Sequence, residues 1–332
     1  MQKIAVIGAG SWGTTAAWLA SANAEVRLWA RGEQTAKKIQ ETRVNDAYLP
    51  GVQLPDTVTA TSDLNEAASS VDLIAVAVPS HGFRSVFTDI APLASPRTPV
   101  ISLTKGIEQG SLLRMTEIIA QVASDIDPRR IGVMTGPNLA TEIANSQPTA
   151  TVVAMKDRDT AEEIQEVFMA PLFRVYTNDD VVGCELGGAL KNVMAIAAGM
   201  SDGLGFGDNT SATLITRALA ELTRLGTRLG GRPGTFAGLA GMGDLIATCV
   251  SDKSRNHRVG HALAGGKSLE EVTQEMNMVA EGVKTTRAVL DLAEKYDVDM
   301  PIADHVGKVL YEGLSPEEAM LRLMTREAKA EA

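Results

Sequence analysis

Ile4-Ala5-Val6-Ile7 runs without a break into Gly8-Ala9-Gly10-Ser11-Trp12-Gly13 and then into Thr14-Thr15-Ala16-Ala17-Trp18-Leu19-Ala20. A short apolar run, a complete G-x-G-x-x-G and an alanine-rich segment read as strand, tight turn and helix. In such a turn Gly8 lets the chain reverse sharply, Gly10 lets backbone approach a pyrophosphate, and Gly13 lets the helix pack close on the strand. The first N–H groups of the helix then face a dinucleotide diphosphate. Glu25-Val26-Arg27-Leu28-Trp29 alternates as a second strand and completes a strand-helix-strand unit.

The residues at the end of that second strand bear on the cofactor. In NAD-specific sites a carboxylate there holds the ribose 2′-hydroxyl. Here the strand ends in Trp29-Ala30-Arg31, and Arg31 suits a 2′-phosphate or the adenine face, while Glu33 keeps NAD open. Further strands are expected at Val71 to Val78, Pro99 to Leu103, Ile131 to Met134 and Ala150 to Ala154, because near-continuous apolar runs are covered on both faces. Helical patterns at Ser85 to Leu93 and Leu112 to Ser124 alternate with them. Beyond about Val182 strand patterns give way to helical segments, notably Leu186 to Met200, Thr210 to Leu229, Leu269 to Met276, Thr285 to Tyr296 and Ile302 to Tyr311. The expected fold is α/β: an N-terminal Rossmann-type, mainly parallel sheet with helices on both faces (residues 1–182), followed by an all-α domain (residues 183–332). Residues Val181 to Glu185 are the expected hinge between them.

A net charge of -10, from 41 acidic and 31 basic residues, argues against nucleic acid as a partner. Small anions must then be held by local basic clusters. No stretch reads as the roughly 18 to 20 apolar residues a bilayer span needs, and the first apolar run breaks at once into glycines, unlike a signal peptide. No membrane insertion and a cytoplasmic location are expected. Cys184 and Cys249 lie outside any C-x-x-C or ligand-spaced set and read as core residues, with no metal.

Loops at the carboxyl ends of such strands face the cofactor crevice. Lys105, in Thr104-Lys105-Gly106, stands where a substrate carbonyl or phosphate meets the nicotinamide, or else merely caps a strand end. His81 reads as a loop histidine without a carboxylate to orient it. Lys191 and Asn192 interrupt an otherwise apolar, small-residue helix, where a charge is costly without a purpose. A lysine stripped of water has a lowered pKa and suits proton transfer, although it could instead snorkel to the surface. Asp244 stands alone between a glycine-rich turn and an apolar run, placed to hold a hydroxyl or to orient Lys191. Ser254-Arg255-Asn256 offers hydroxyl, guanidinium and amide donors for a phosphate, or with Lys253 and Arg258 forms an exposed basic turn.

These residues together resemble the bacterial NAD(P)-dependent sn-glycerol-3-phosphate dehydrogenase family over nearly the whole chain. The resemblance rests on Gly8 to Gly13, Leu103 to Glu108, Leu190-Lys191-Asn192 with Ala195 to Met200, Asp202 to Asn209, Asp244, Ser254-Arg255-Asn256 and Val279 to Gly282. It implies interconversion of dihydroxyacetone phosphate and sn-glycerol 3-phosphate by hydride transfer with NADP(H) or NAD(H), supplying glycerophospholipid synthesis, in a homodimer. It implies dinucleotide contacts from Gly8, Gly10, Ser11, Trp12, Gly13, Arg31, Tyr48, Lys105, Ala140, Arg255, Val279 and Glu281. It implies a substrate shell of Lys105, Gly136, Asn138, Lys191, Asp244, Ser254, Arg255 and Asn256, with Lys191 as proton acceptor and Lys105 and Asp244 as its catalytic partners. The family usually carries Ser where this chain has Asn138, whose amide can still donate to a substrate oxygen. Two other readings stay open: a two-domain dehydrogenase acting on 3-hydroxy acids or a sugar acid phosphate, and a dinucleotide sensor that retains the fold without turnover.

Overall fold

A computed structural model describes residues 1–276, 280–328 and 330. The chain begins β1 (Lys3–Ile7), α1 (Ser11–Ala20), β2 (Glu25–Trp29), α2 (Glu33–Thr42), a hairpin of β3 (Val44–Asn45) and β4 (Leu49–Gln53), then β5 (Val58–Thr61) and α3 (Leu64–Ala68). It continues β6 (Leu73–Val76), α4 (Ser80–Ile90), β7 (Val100–Ser102), α5 (Met115–Val122), β8 (Ile131–Thr135), α6 (Ala140–Ala144), β9 (Thr149–Ala154), α7 (Arg158–Phe168) and β10 (Phe173–Asn178). Eight of these strands form one sheet in the order β10-β9-β8-β7-β6-β1-β2-β5. Every pairing is parallel except β8 with β9. The order reverses between β1 and β6, so the crevice at the carboxyl ends of those two strands is the switch point where ligands of open α/β sheets bind.

Alternation along β1 explains why both faces are covered. Ile4 and Val6 pack into the apolar layer shared with Ala16, Ala17 and Ile164, whereas Ala5 and Ile7 pack into the opposite layer with Phe83, Phe87 and Ile118. The helical half is α8 (Val181–Gly203), α9 (Asp208–Arg228), α10 (Pro233–Phe236), α11 (Asp244–Val250), α12 (Arg255–Ala264), α13 (Leu269–Glu275), α14 (Glu281–Lys295), α15 (Pro301–Glu312) and α16 (Pro316–Met324). A five-residue π-helical turn, Leu239–Gly243, leads into α11. Its core is built around α8, whose Leu190, Val193, Met194 and Ile196 are completely buried.

Three expectations need correction. The apolar run that becomes α8 is longer than the sequence reading allowed: the helix has 23 residues, and an 18-residue stretch of it with a mean hydropathy of 1.3 is long and apolar enough to cross a bilayer, but 94% of that stretch is buried inside the protein. Its apolar surface is spent on the core. The expected hinge at Val181 to Glu185 is the first turn of α8, capped by the Asp180 carboxylate on the Gly183 N–H at 3.0 Å. His81 is not in a loop; it lies exposed in the first turn of α4.

Candidate active site

The glycine loop has the shape a dinucleotide requires. Gly8 has φ +121°, and a Cβ there would lie 2.8 Å from the Ala77 carbonyl oxygen. A Cβ on Gly13 would stand 1.9 Å from the Gly8 carbonyl oxygen, whereas the corresponding side of Gly10 is open. Helix α1 starts at Ser11 with no side chain capping it, which leaves its backbone donors directed at the crevice. Trp12 contributes a buried indole N–H without a partner. These features fit a diphosphate cradle. Asn45, which the sequence reading passed over, donates to the Ala9 carbonyl at 2.9 Å and to Thr14 Oγ1 at 2.8 Å. It ties the loop to the hairpin that carries Tyr48, itself 37% exposed at the rim. Arg31 is exposed just past β2, and Ala140 opens α6.

Lys105, Lys191 and Asp244 come together although they are far apart in sequence. Asp244 is the first residue of α11, almost fully buried, with Oδ2 2.5 Å from Lys105 Nζ and Oδ1 3.1 Å from Lys191 Nζ. One carboxylate therefore bridges two ammonium groups, one from the β7–α5 loop and one from the middle of α8. Lys105 also donates to the Gly136 carbonyl at 2.9 Å. Lys191 donates to Thr248 Oγ1, and that hydroxyl donates in turn to the Asp244 carbonyl oxygen at 2.6 Å. An ammonium has three N–H donors, so Asp244 and Thr248 leave Lys191 one to direct elsewhere. Thr248 gave no signal in sequence, because a threonine between alanine and cysteine in a helix is ordinary. Burial pulls the Lys191 pKa down to about 8; Asp244 opposes that shift and the positive Lys105 adds to it. Snorkelling is excluded by this burial.

Asn138 donates through Nδ2 to Thr151 Oγ1 at 3.0 Å, while its Oδ1 is buried without a partner. Ser254 caps α12 by accepting the His257 N–H at 3.3 Å, which leaves its hydroxyl proton available. Asn256 is more committed than its sequence context suggested. Its Nδ2 donates to Asn192 Oδ1 and its Oδ1 accepts the Gly282 N–H, both at 2.9 Å, so it joins α8 to α14 and keeps one N–H to spare. Arg255 remains accessible to water, yet protein surrounding its guanidinium lowers its pKa, with Glu281 pulling the other way. An open cleft accounts for both properties. Glu281 begins α14 and accepts from the Ser80 hydroxyl. Val279 lies outside the described residues.

Known proteins resemble this chain in sequence and in fold. Residues 3–161 match the family profile described as the NAD-dependent glycerol-3-phosphate dehydrogenase N-terminus, and residues 180–321 match its C-terminus. A glycerol-3-phosphate dehydrogenase (NAD(P)+) of Streptomyces coelicolor is 51% identical over 330 residues, covering 99% of this chain and 98% of the relative. The crystal structure of a glycerol-3-phosphate dehydrogenase from Coxiella burnetii superposes with a TM-score of 0.93 at 40% identity, covering 98% of this chain and 99% of that one. A ketopantoate reductase structure from Ralstonia eutropha, 16% identical over 96% of this chain and 100% of its own, superposes with a TM-score of 0.56 and shares the fold.

Proposed function

The chain belongs to the NAD-dependent glycerol-3-phosphate dehydrogenase family, and on that premise we propose that Lys191 is the proton donor and acceptor as it interconverts dihydroxyacetone phosphate and sn-glycerol 3-phosphate. The cofactor is NAD(H) or NADP(H). When bound, it supplies the hydride exchanged with C2 of the substrate. Ser11, Trp12 and the glycine loop would hold its diphosphate side, with Arg31 and Tyr48 toward the adenosine, and Lys105, Ala140, Arg255, Val279 and Glu281 along the rest.

In the reductive direction Lys191 Nζ gives a proton to the oxygen that becomes the alcohol, and in the oxidative direction it takes one back. Lys105 places positive charge beside the same oxygen as negative charge develops there. Asp244 holds both ammonium groups, and Thr248 fixes the rotamer of Lys191 through its hydroxyl. The Ser254 hydroxyl, the Arg255 guanidinium and the spare N–H of Asn256 would bind the phosphate, with Gly136 and Asn138 along the carbon chain. Binding energy from that remote phosphate orients the reacting carbon. The observation that carries this reading is Asp244 bridging Lys105 and Lys191.

Division of the chain near residue 182, a homodimer, a cytoplasmic location and the supply of phospholipid backbone belong to the same proposal; the division rests on the change from strand to helical patterns, the location on the sequence reading, and the supply of phospholipid backbone on the resemblance. Lack of membrane insertion is supported by the burial of α8. The test follows NADPH, and separately NADH, by absorbance after addition of dihydroxyacetone phosphate to the purified protein. Oxidation of either is expected, with an NADPH advantage if Arg31 contacts a 2′-phosphate. Absence of oxidation by a folded protein that still binds both would overturn the proposal and return the hydroxy-acid or sugar-acid-phosphate dehydrogenase and the sensor readings.

A further inference from the structure

Ser80 is the first residue of α4, and the residue before it, Pro79, has no side chain able to accept the helix's free N–H groups. The acceptor comes from the helical half of the molecule. Glu281 Oε1 takes the Ser80 backbone N–H at 3.3 Å, and Oε2 takes the Ser80 hydroxyl. A carboxylate at a helix N-terminus is favoured by the helix dipole, and Glu281 also begins α14, so one charge faces two helix starts. Ser80 is 4% exposed.

The contact is packed against the catalytic loop. A Cβ on Gly106 would lie 2.7 Å from Ser80 Cβ and 3.4 Å from Glu281 Oε2, so only glycine lets the residue after Lys105 sit here. The same β6–α4 segment presses on the glycine loop, because Gly8 abuts the Ala77 carbonyl. One small cluster thus touches the dinucleotide crevice, the Lys105 loop and the helical half. Lys105 and Asp244 come from different halves, and their 2.5 Å contact requires the halves to be held together.

We propose that Ser80 is a positioning residue whose bonds to Glu281 hold the helical half over the dinucleotide crevice and keep Lys105 in reach of Asp244. This rests on the function proposed above. Ser80 touches no reacting atom; it sets the fraction of molecules already in the closed arrangement, and apparent cofactor affinity scales with that fraction.

The test compares wild type with Ser80→Ala and Ser80→Asp by quenching of intrinsic tryptophan fluorescence with NADPH, by steady-state kinetics and by thermal melting. Ser80→Ala is expected to weaken NADPH binding and raise its KM by about tenfold, the scale of one lost hydrogen bond to a charged group, with kcat at saturation within about twofold. Ser80→Asp sets a second buried carboxylate against Glu281, so it should bind NADPH more weakly than Ser80→Ala and melt at a lower temperature. Wild-type NADPH affinity in both variants would overturn the proposal. So would a Ser80→Asp protein that binds as well as wild type, because losing the bond to Glu281 would then leave the closed arrangement unchanged. The titrations are made without substrate, so failure of the wild type to reduce dihydroxyacetone phosphate would refute the proposed reaction without touching the role of Ser80 in cofactor binding.

Discussion

At the scale of single residues the site depends on one buried carboxylate serving two cations. Asp244 raises the affinity of Lys191 for its proton against a burial effect that otherwise dominates. Asp244→Asn should therefore move the Lys191 titration below about 8, and the pH limb of turnover should shift to lower pH with it. Steady-state rates of the variant across pH would check the direction; a limb that stays or rises would contradict it. Lys191 was legible in the sequence because a lysine amid Leu190, Val193 and Ala195 demands an explanation. The glycine loop was legible because its constraints are local. Thr248 and Ser80 were not, since a hydroxyl acquires its role only from what the fold sets against it. Asn256 misled in part: the triplet announces donors, but not that Asn192 and Gly282 already occupy most of that amide.

Among the elements, legibility followed burial. Strands β1, β6, β7 and β8 are apolar on both faces and stand out, whereas β5 and β10 lie at the sheet edges, alternate with polar residues and escaped notice. Hairpin β3–β4 escaped as well, since Leu49-Pro50-Gly51-Val52 reads as a turn. Helix ends also hide long-range partners. Glu221 on α9 is 1% exposed and accepts the Ile302 N–H at 2.8 Å and the Ala303 N–H at 3.3 Å, capping α15 from another helix. Burial pushes its pKa up to about 7 from an ordinary 4.5, against the pull of those two N–H groups. The folded protein thus holds a proton there that the unfolded chain releases. The resulting stability is fully present below the unfolded value of 4.5 and is lost as pH rises through about 7. Glu221→Gln removes this contribution, so the melting temperature of the wild type should fall relative to the variant between roughly pH 5 and pH 8. A constant difference across that range would contradict the assignment.

For the molecule as a whole, the two halves are joined by contacts of different strength. Glu185 of α8 accepts from Arg114 at 2.8 Å and from the Thr116 N–H at 2.9 Å, a buried junction at the start of α5. Lys253, next to the proposed phosphate donors, bridges to Glu142 of α6 at 2.8 Å. The buried junction is costly to break, while the exposed bridge is worth little and is free to open. The strand-to-helix junction Val181 to Glu185, expected to be the hinge, is a capped helix start whose Glu185 is bonded to Arg114 and Thr116. Lys105 comes from the sheet half and Asp244 and Lys191 from the helical half, so the proposed proton step needs the two halves together. The decisive measurement is the pH dependence of kcat/KM for dihydroxyacetone phosphate reduction, followed by consumption of reduced cofactor from roughly pH 6 to pH 10. If protonated Lys191 is the donor, as proposed, the rate should hold below about 8 and fall roughly tenfold per pH unit above it. A rate unchanged through roughly pH 10, or a falling limb that persists unshifted in Lys191→Ala, would show that another group carries the proton.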